Sequence, residues 1–500
     1  MRLFVLFSCG WSMVCAATVG HIAQAAKEMD TSAVRTFVTN KADVNSPLKD
    51  GSTALHWAVH NDDLQMAQFL ISAGANVKTA NRYGVTALSL ACVNGNGAMV
   101  DLLLNAGADP NGVLPGGETA LMTCARTGRL DAVKALLARG AVVDVKETER
   151  GQTALIWAAA EGHTDVVKAL LQAGADVRQR LGSGFTPLLL AVREGQVDVV
   201  RVLLKSGVNV NDTVEVPQTP GRRPITARGG PRPGTSALHL AVGNGHFELA
   251  SLLLDAGADP NAMGPGYAPL HMISNVRKPG GGDNNPSPRG SGTTTSLQIV
   301  RKLAQHGANL DARMTRRVNF GLTSLNTEGA TAFLLASRTA DAELMRLLAS
   351  LGANPKIPTA DGASPLIVAA GLGTRSPGED AGTESEVLEA VQVALELGND
   401  IDAVDKNGET AMHGASYKNL PTVVEFLASK GAKPEIWNQK NKQGWTPLTI
   451  AEGYRFGNYK PSPVTIAAFH RVMMAAGLPI IKSTPANAGK NNEYAPQVRK

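Results

Sequence analysis

Apolar and polar residues alternate along this chain at a spacing typical of short paired helices. Residues 151–177 show the pattern clearly, because the polar break Glu161–His163 separates two apolar stripes. The first stripe contains the alanines 158–160, and the second recurs at helical spacing from Val166 to Leu171. The pattern predicts two helices of about two to three turns, which are marginal in isolation and must bury their stripes against neighbours.

Capping residues mark the ends of both predicted helices. Thr153 precedes the first stripe, where its hydroxyl can accept a hydrogen bond from a free backbone N–H of the first turn. Asp165 opens the second stripe, where a negative charge suits the helix N-terminus. Gly174 follows that stripe and predicts a left-handed C-terminal cap.

Near copies of this unit recur about eleven times along the chain. Each copy opens with a pattern close to Thr-x-Leu-His, and the early copies return about every 33 residues. A fixed period of this size predicts a stacked array and overrides the three or four domains that length alone would suggest. The copies begin at Thr53, Thr86, Thr119, Thr153, Thr186, Ser236, Ala268, Thr331, Ser364, Thr410 and Thr446.

On these residues the chain resembles the ankyrin-repeat family, whose units share this opening and period. The resemblance covers roughly residues 20–480. It implies an all-α repeat solenoid, in which helix-turn-helix pairs with β-hairpin turns stack in a curved array. It also implies binding of other macromolecules, usually proteins, through the turn tips and the concave helix face.

Departures from the period predict the organisation of the chain. We expect a capping repeat at 18–46, an array at 47–480 and a flexible tail at 481–500. Four segments interrupt the array, two at hairpin positions and two between the helices of a pair. Insertions in repeat proteins often map to one face, commonly the binding face. The hairpin insertions are 213–234 and 312–329, and the inter-helix insertions are 277–295 and 371–384.

The first seventeen residues have the layout of a secretory signal. Arg2 precedes an apolar stretch, and the small residues 15–17 follow it. We expect cleavage after Ala17, with a cut at 23–25 or an uncleaved anchor as the alternatives. The protein is therefore expected to be exported, periplasmic or secreted, and of bacterial origin.

The charge and the apolar runs of the sequence limit which classes of partner we expect. The formal charge is +5 with 18% charged residues and no long basic run, which indicates a solvated surface and argues against nucleic acid. No other apolar run is long enough to span a bilayer, so we expect no stable membrane span after signal cleavage. We expect no cofactor, and we favour a monomer.

No pattern in the sequence indicates catalysis or a metal site. His56 and His60 are spaced i,i+4, but the metalloprotease Glu is missing after the first His. His56, His239, His271 and His413 share the motif position, where the resemblance implies hydrogen bonds to neighbouring turns. No nucleophile elbow, phosphate-binding loop or pair of carboxylates suited to acid/base work is recognisable.

Two cysteines lie in neighbouring copies once the signal is set aside. Cys92 and Cys124 both fall in Ala-rich helices, where a thiol behaves as a small apolar group. They are one residue out of register, so we expect free thiols, with a disulfide in an oxidising compartment as the alternative.

The candidate partner-binding residues are aromatic or basic side chains near the turns. Aromatic residues at turn tips are frequent binding anchors, and packing against the adjacent turn is the alternative. Arginine forks bind carboxylates and other anions well, and a solvated loop is the alternative. The candidates are Tyr83, Phe185, Arg222, Arg223, Arg228, Arg316, Arg317 and Trp445.

These observations predict a non-catalytic scaffold that presents a preformed surface to a protein partner outside the cytoplasm. One alternative is an enzyme with its site in the insertions, although these segments contain no His, no Cys and no clustered acids. The other alternative is a binder of an anionic surface polymer through the basic loops.

Overall fold

Each copy of the repeat forms a first helix, a short break and a second helix. The computed structural model describes residues 21–215, 232–280, 286–321, 323–378, 380–455 and 460–480. The chain divides into two compact units, which we call unit 1, ending at Leu181, and unit 2, beginning at Gly182. The repeat pattern had indicated one array, so this division is a feature of the tertiary structure.

Unit 1 contains five helix pairs in its described part, residues 21–181. First helices stack on first helices, because α3 contacts α1 and α5, and α7 contacts α5 and α9. Its helices are α1 Ile22–Lys27, α2 Thr31–Thr39, α3 Ala54–His60, α4 Leu64–Ser72, α5 Ala87–Asn94, α6 Gly97–Asn105, α7 Ala120–Thr127, α8 Leu130–Ala138, α9 Ala154–Glu161 and α10 Thr164–Gln172.

Unit 2 repeats the arrangement with longer connections. A short 3-10 helix, Pro269–Met272, leads directly into one of its first helices. The helices of unit 2 are α11 Pro187–Arg193, α12 Val197–Lys205, α13 Ala237–Gly243, α14 Phe247–Asp255, α15 Ile273–Arg277, α16 Ser296–Gln305, α17 Ala332–Arg338, α18 Ala342–Ser350, α19 Pro365–Ala369, α20 Glu384–Glu396, α21 Ala411–Lys418, α22 Pro421–Ser429, α23 Pro434–Trp437, α24 Pro447–Ala451 and α25 Pro463–Ala475.

The predicted caps of the quoted repeat are present. The Thr153 hydroxyl accepts from the backbone N–H of Ile156 at 3.3 Å, at the start of α9. Gly174 adopts φ +90° after α10, where an L side chain would be strained. Hairpins join the pairs, but in the described residues they form only three isolated bridges and no named strand. The bridges are Ala80–Thr86, Val113–Thr119 and Thr213–Ser236.

Asparagine side chains tie successive turns together in both units. The Asn45 amide donates to the carbonyl of Gly74 at 3.1 Å and accepts from the N–H of Asn76 at 2.7 Å. Asn111 in unit 1 and Asn211 in unit 2 make the same pair of bonds to the turn that follows. These bonds satisfy backbone groups that the helix ends leave free.

A disulfide joins α5 to α7 in unit 1. The Cα atoms of Cys92 and Cys124 are 4.7 Å apart, and both side chains are fully buried. Our expectation of two free thiols was therefore wrong, and the disulfide that we gave as the alternative is present. The alanine-rich first helices approach so closely that a one-residue offset in register still brings the two sulfurs together.

The four segments that interrupt the period belong to connections between helices. Residues 213–215 and 232–235 form the base of one hairpin, where Val214 N–H donates to Thr235 O at 2.9 Å. The segment 277–295 separates α15 from α16, and 371–384 separates α19 from α20, although Glu384 already belongs to α20. The segment 312–329 precedes α17, and it packs on the repeat faces.

Candidate partner-binding surfaces

The hairpin tip at Tyr83 is shaped by an asparagine. Asn81 Oδ1 accepts the backbone N–H groups of Tyr83 and Val85, both at 3.0 Å, which fixes the turn. The Tyr83 side chain projects from this turn and is 70% exposed. Tyr83 thus has the position expected of an exposed aromatic at a turn tip, and its role in binding stays a prediction.

Phe185 and Trp445 do not have that position. They are 4% and 6% exposed, so the expectation of exposed anchors was wrong for both and the packing alternative holds. The reason is register, because each lies one residue before its helix N-cap, where the chain turns inward, whereas Tyr83 lies three residues before its cap. Phe185 lies beneath the guanidinium of Arg193, with 5.0 Å from Cζ to the ring centroid.

The candidate arginines that the structure describes are bound to the chain itself. Arg316 Nε donates to the carbonyl of Pro265 at 3.0 Å, and Arg317 donates to the carbonyl of Ser324 at 3.2 Å. Both guanidinium groups therefore hold a turn in place. The remaining candidates, Arg222, Arg223 and Arg228, lie outside the described residues.

The first helices carry a surface for which the sequence reasoning expected a helix face but named no residue. We call the fourth and seventh residues after each first-helix N-cap the inner row. In unit 1 most of this row is exposed or half-buried, since Val93 is 58% exposed and Trp57 and Trp157 are half-buried, whereas Thr123 is buried. The inner row of unit 1 consists of Trp57, His60, Leu90, Val93, Thr123, Arg126, Trp157 and Ala160.

Cations lie over the aromatic rings of this row. Lys27 Nζ is 4.8 Å from the Trp57 ring centroid, and Arg126 Cζ is 5.4 Å from that of Trp157. Arg126 also pairs with Glu118 at 3.4 Å across an exposed surface. Among the described residues, neither indole N–H has a hydrogen-bond partner. Both indole nitrogens are buried, so what the face offers to solvent is parts of flat apolar rings with positive charge beside them, a combination common at protein interfaces.

In unit 2 part of the inner row is covered by the chain itself. We call residues 313–330 the strap, of which Leu322 lies outside the described residues. Apolar residues of the strap form one hydrophobic cluster with the inner row of three successive copies. The strap contributes Met314, Val318, Phe320, Leu325 and Ala330 to this cluster, and the inner row contributes Met272, Leu335 and Val368.

Polar contacts fix the strap on this face. Its ends pair with each other, since Met314 N–H donates to Ala330 O at 2.9 Å. Arg338 of the inner row donates to the carbonyl of Phe320 at 2.6 Å, and the Phe320 ring meets Tyr267 edge-on at 5.0 Å. On the far side, Thr323 donates to the carbonyl of Gly373 at 3.0 Å. The strap therefore contacts three successive copies, as a bound peptide would.

The motif histidines connect neighbouring turns. His56 Nδ1 lies 2.9 Å from the Thr53 hydroxyl, and its Nε2 donates to the carbonyl of Val85 at 3.0 Å. His239 bonds Ser236 and Tyr267 in the same way. Burial lowers the pKa of His239 to about 4, which keeps the ring neutral. Within the described residues no group of three or more His, Cys, Asp or Glu side chains is placed to hold a metal ion.

A buried polar cluster in unit 2 was not foreseen. Glu409 accepts from the Tyr417 hydroxyl at 3.1 Å and from the Asn441 amide at 2.9 Å. Burial, aided by the charge of Asp405, raises the pKa of Glu409 to about 7. Burial also raises the pKa of Asp405, whose carboxylate accepts the Glu409 N–H at 2.8 Å. Because the pKa of Glu409 lies near neutrality, we expect this carboxyl to bind a proton as the pH falls below about 7.

The stacked helix pairs, short hairpins and capped turns define a helical repeat protein. The family model described as ankyrin repeats, three copies, matches residues 22–113, 121–214, 178–264 and 381–459, which together exceed half of the chain. The chain belongs to the ankyrin-repeat family. The interval 265–380, which contains the strap, lies between the matched stretches.

Two curated relatives are similar over part of this chain. The B-cell lymphoma 3 protein homolog of Mus musculus is 33% identical over 221 residues, which cover 44% of this chain and 40% of the relative. The B-cell lymphoma 3 protein of Homo sapiens is 31% identical over 221 residues, which cover 44% of this chain and 39% of the relative. The chain thus spans about two-fifths of the length of these relatives.

Family membership bears on function at a general level. Ankyrin repeats generally mediate interactions between proteins, so the chain carries a protein-binding architecture. Across the described residues, no helix has both the length and the apolar character needed to cross a membrane.

Proposed function

We propose that this protein is an exported, non-catalytic scaffold that binds a protein partner through the inner row and hairpin tips of unit 1. The observation that carries the proposal is the exposure of apolar side chains on a rigid repeat face. Val93 is 58% exposed on α5, while Tyr83 and Val113 are 70% and 60% exposed on the hairpins before α5 and α7. Large apolar side chains exposed on a helix and on the hairpins beside it favour an interaction site on this part of unit 1.

The rigidity of this face supports the proposal. The disulfide joins α5 to α7, the helices that carry Val93 and Arg126. A surface whose backbone is held before binding loses little conformational entropy when a partner docks. The two half-buried tryptophans add flat anchors of the type that dominates binding energy at interfaces.

The non-catalytic part of the proposal is supported by how the reactive side chains are used. The motif histidines are buried in bonds between turns, as His56 and His239 show. The Glu409 and Asp405 carboxyls are buried in the body of unit 2. A screen of the purified chain for hydrolase and redox activity checks this part, and turnover of any substrate would contradict it.

Export is supported by two independent features. Residues 1–17 have the layout of a secretory signal, and Cys92 and Cys124 form a disulfide, which persists mainly in oxidising compartments. We expect the mature chain to begin at Thr18 and to react with thiol reagents only after reduction. N-terminal sequencing and alkylation of the chain recovered from the exported fraction measure both. An uncut chain with two free thiols would contradict export.

The binding proposal is tested by capture on the immobilised mature chain from the exported protein fraction. We expect a protein that is retained by the unaltered chain and lost with Val93→Asp, because an unpaired carboxylate would be buried in the interface. Val142→Asp is the matched control, since Val142 is 55% exposed but lies outside the inner row, after α8. Equal capture by both variants would remove the inner row from the proposal.

A further inference from the structure

The strap of unit 2 shows what kind of ligand an inner row accepts. Three copies in unit 2, beginning at Ala268, Thr331 and Ser364, correspond in order to the copies of unit 1 that begin at Thr86, Thr119 and Thr153. Position by position, Met272 corresponds to Leu90, Asn275 to Val93, Leu335 to Thr123, Arg338 to Arg126 and Val368 to Trp157. The two faces share an arginine at the centre and large apolar side chains on either side.

On the unit 2 face, the strap supplies two kinds of contact. Its side chains at alternate positions, Val318 and Phe320, join the apolar cluster with the inner row. Its backbone supplies a carbonyl to Arg338, at 2.6 Å from Phe320 O. The strap holds its own form across the loop, because Thr327 Oγ1 bonds both the N–H and the carbonyl of Val318, at 2.9 and 2.8 Å.

The corresponding face of unit 1 keeps the central arginine and an apolar side chain on either side of it, has Thr123 where unit 2 has Leu335, and has no strap among its described residues. Its hairpin before α7 closes at once, since Leu114 N–H donates to Glu118 O at 2.9 Å, and it does not extend over the row. Val93 is left 58% exposed. The Arg126 side chain, 42% exposed, rests between Glu118 and the Trp157 ring, where its donors can be redirected to an incoming carbonyl.

We propose that the inner row around Val93, Arg126 and Trp157 binds an extended loop of the partner protein that presents apolar side chains at alternate positions and a backbone carbonyl to Arg126. This loop lies on unit 1 as the strap lies on unit 2. The proposal rests on the proposed function and names the chemistry of its partner. Alternate apolar side chains match an extended segment, in which every second residue faces the same side.

The probe is a synthetic peptide of residues 313–330, titrated into the full mature chain and followed by calorimetry. We expect saturable binding that Val93→Asp weakens by roughly tenfold or more, because the carboxylate would be desolvated beside apolar side chains. Arg126→Ala should weaken binding several-fold, and Arg126→Lys should restore part of the loss, since lysine keeps the charge without the fork. The matched control Val142→Asp should bind as the unaltered chain does.

Two further measurements separate the proposed binding mode from the alternative explanations of peptide binding. A peptide carrying Phe320→Asp and a scrambled peptide of equal charge should both fail to bind, and binding of the scrambled peptide would overturn the proposal. The peptide could instead displace the strap of unit 2. In that case Arg338→Ala would alter the affinity for the peptide and Val93→Asp would not. This outcome also overturns the proposal. A lack of peptide binding, with capture of the protein partner still dependent on Val93, would reject the extended-loop ligand and leave the proposed function standing.

Discussion

The two units use the same repeat face in opposite ways. In unit 1 the inner row faces solvent, and its central arginine pairs with an exposed glutamate on its own hairpin. In unit 2 a hairpin insertion folds back over the row, and the corresponding arginine holds the insertion by a backbone carbonyl. In unit 2 this face therefore contributes to the chain's own stability, whereas in unit 1, where the hairpin is short, the described residues leave it uncovered.

The units also differ in the bonds that link neighbouring copies of the repeat. Unit 1 has a disulfide between α5 and α7. Unit 2 has ion pairs that hold the ends of its insertions, with Arg277 at 2.6 Å from Asp341 and Lys278 at 2.8 Å from Glu386. The Lys278 ammonium is the main cause that lowers the pKa of Glu386 to about 2. Covalent bracing suits an exposed binding face, whereas ionic bracing accommodates irregular loops.

The largest contrast is expected from truncating equivalent parts of the two rows. Leu335→Ala removes a side chain that is 1% exposed beneath the strap, and it should cost about 3 kcal/mol of unit 2 stability. Leu90→Ala removes a half-buried side chain in unit 1 and should cost about 1 kcal/mol. Hydrogen-exchange mass spectrometry of peptides from α17 and α5 measures both. Equal losses would mean that the strap does not cover the row.

Reduction should affect only unit 1. Replacing Cys92 and Cys124 by Ala opens a link between residues 32 apart in sequence, which should cost unit 1 about 3 kcal/mol. Exchange protection of α5 and α7 should fall, while that of α17 and α21 should stay unchanged. A fall of similar size in both units would show that the two are coupled in stability, contrary to the comparison.

A buried carboxylic acid is expected to add a pH dependence to the stability of unit 2. The folded pKa of Glu409, about 7, lies above the ordinary glutamate value of 4.5, so folding favours the protonated acid. The stabilisation is complete below pH 4.5 and is lost as the pH rises towards 7, with a total on the order of 2 kcal/mol. Urea unfolding of unit 2 at pH 5 and pH 8 measures the loss. Burial lowers the pKa of His239 and His413 to about 4, so these two groups stabilise unit 2 more as the pH rises and act in the opposite direction. The share of Glu409 is therefore read as the difference in pH dependence between the unaltered chain and Glu409→Gln, and an equal pH dependence in both would assign it to another group.

The smallest effect is expected from the central arginine of unit 1. Arg126→Ala removes an exposed ion pair and should change stability by less than about 1 kcal/mol. Arg338→Ala leaves the carbonyl of Phe320 without its donor and should cost about 2 kcal/mol. Thermal unfolding of the two variants gives the comparison. A larger loss for Arg126 than for Arg338 would contradict the assignment of an open and a covered row.

Some positions in the sequence were informative because their roles are local. The cap at Thr153, the left-handed glycine at Gly174 and the motif His56 act on groups a few residues away or one period away. Their spacing predicted the ankyrin repeat, which the structure and the family match confirm. The segment 312–329 interrupts a regular period in the sequence and precedes α17 in the structure.

The position of each turn aromatic relative to its helix cap decided whether its side chain is exposed or buried. Tyr83, Phe185 and Trp445 all lie near hairpins, but only the first lies at the tip. A shift of two residues relative to the helix cap turns a side chain from solvent to the interior. The composition of the turn does not reveal this shift, so two of the three expected anchors were misplaced.

The repeat itself, with its helices, caps and period, was determined by the sequence alone, because each of these features depends on bonds within a turn or between adjacent copies. The tertiary structure decided where the strap folds, which sulfurs meet and how Glu409 is buried. These features depend on contacts between residues far apart in the chain, such as Arg338 with Phe320 and Thr323 with Gly373. Such contacts follow from the packing of whole helices, and residue spacing does not encode them.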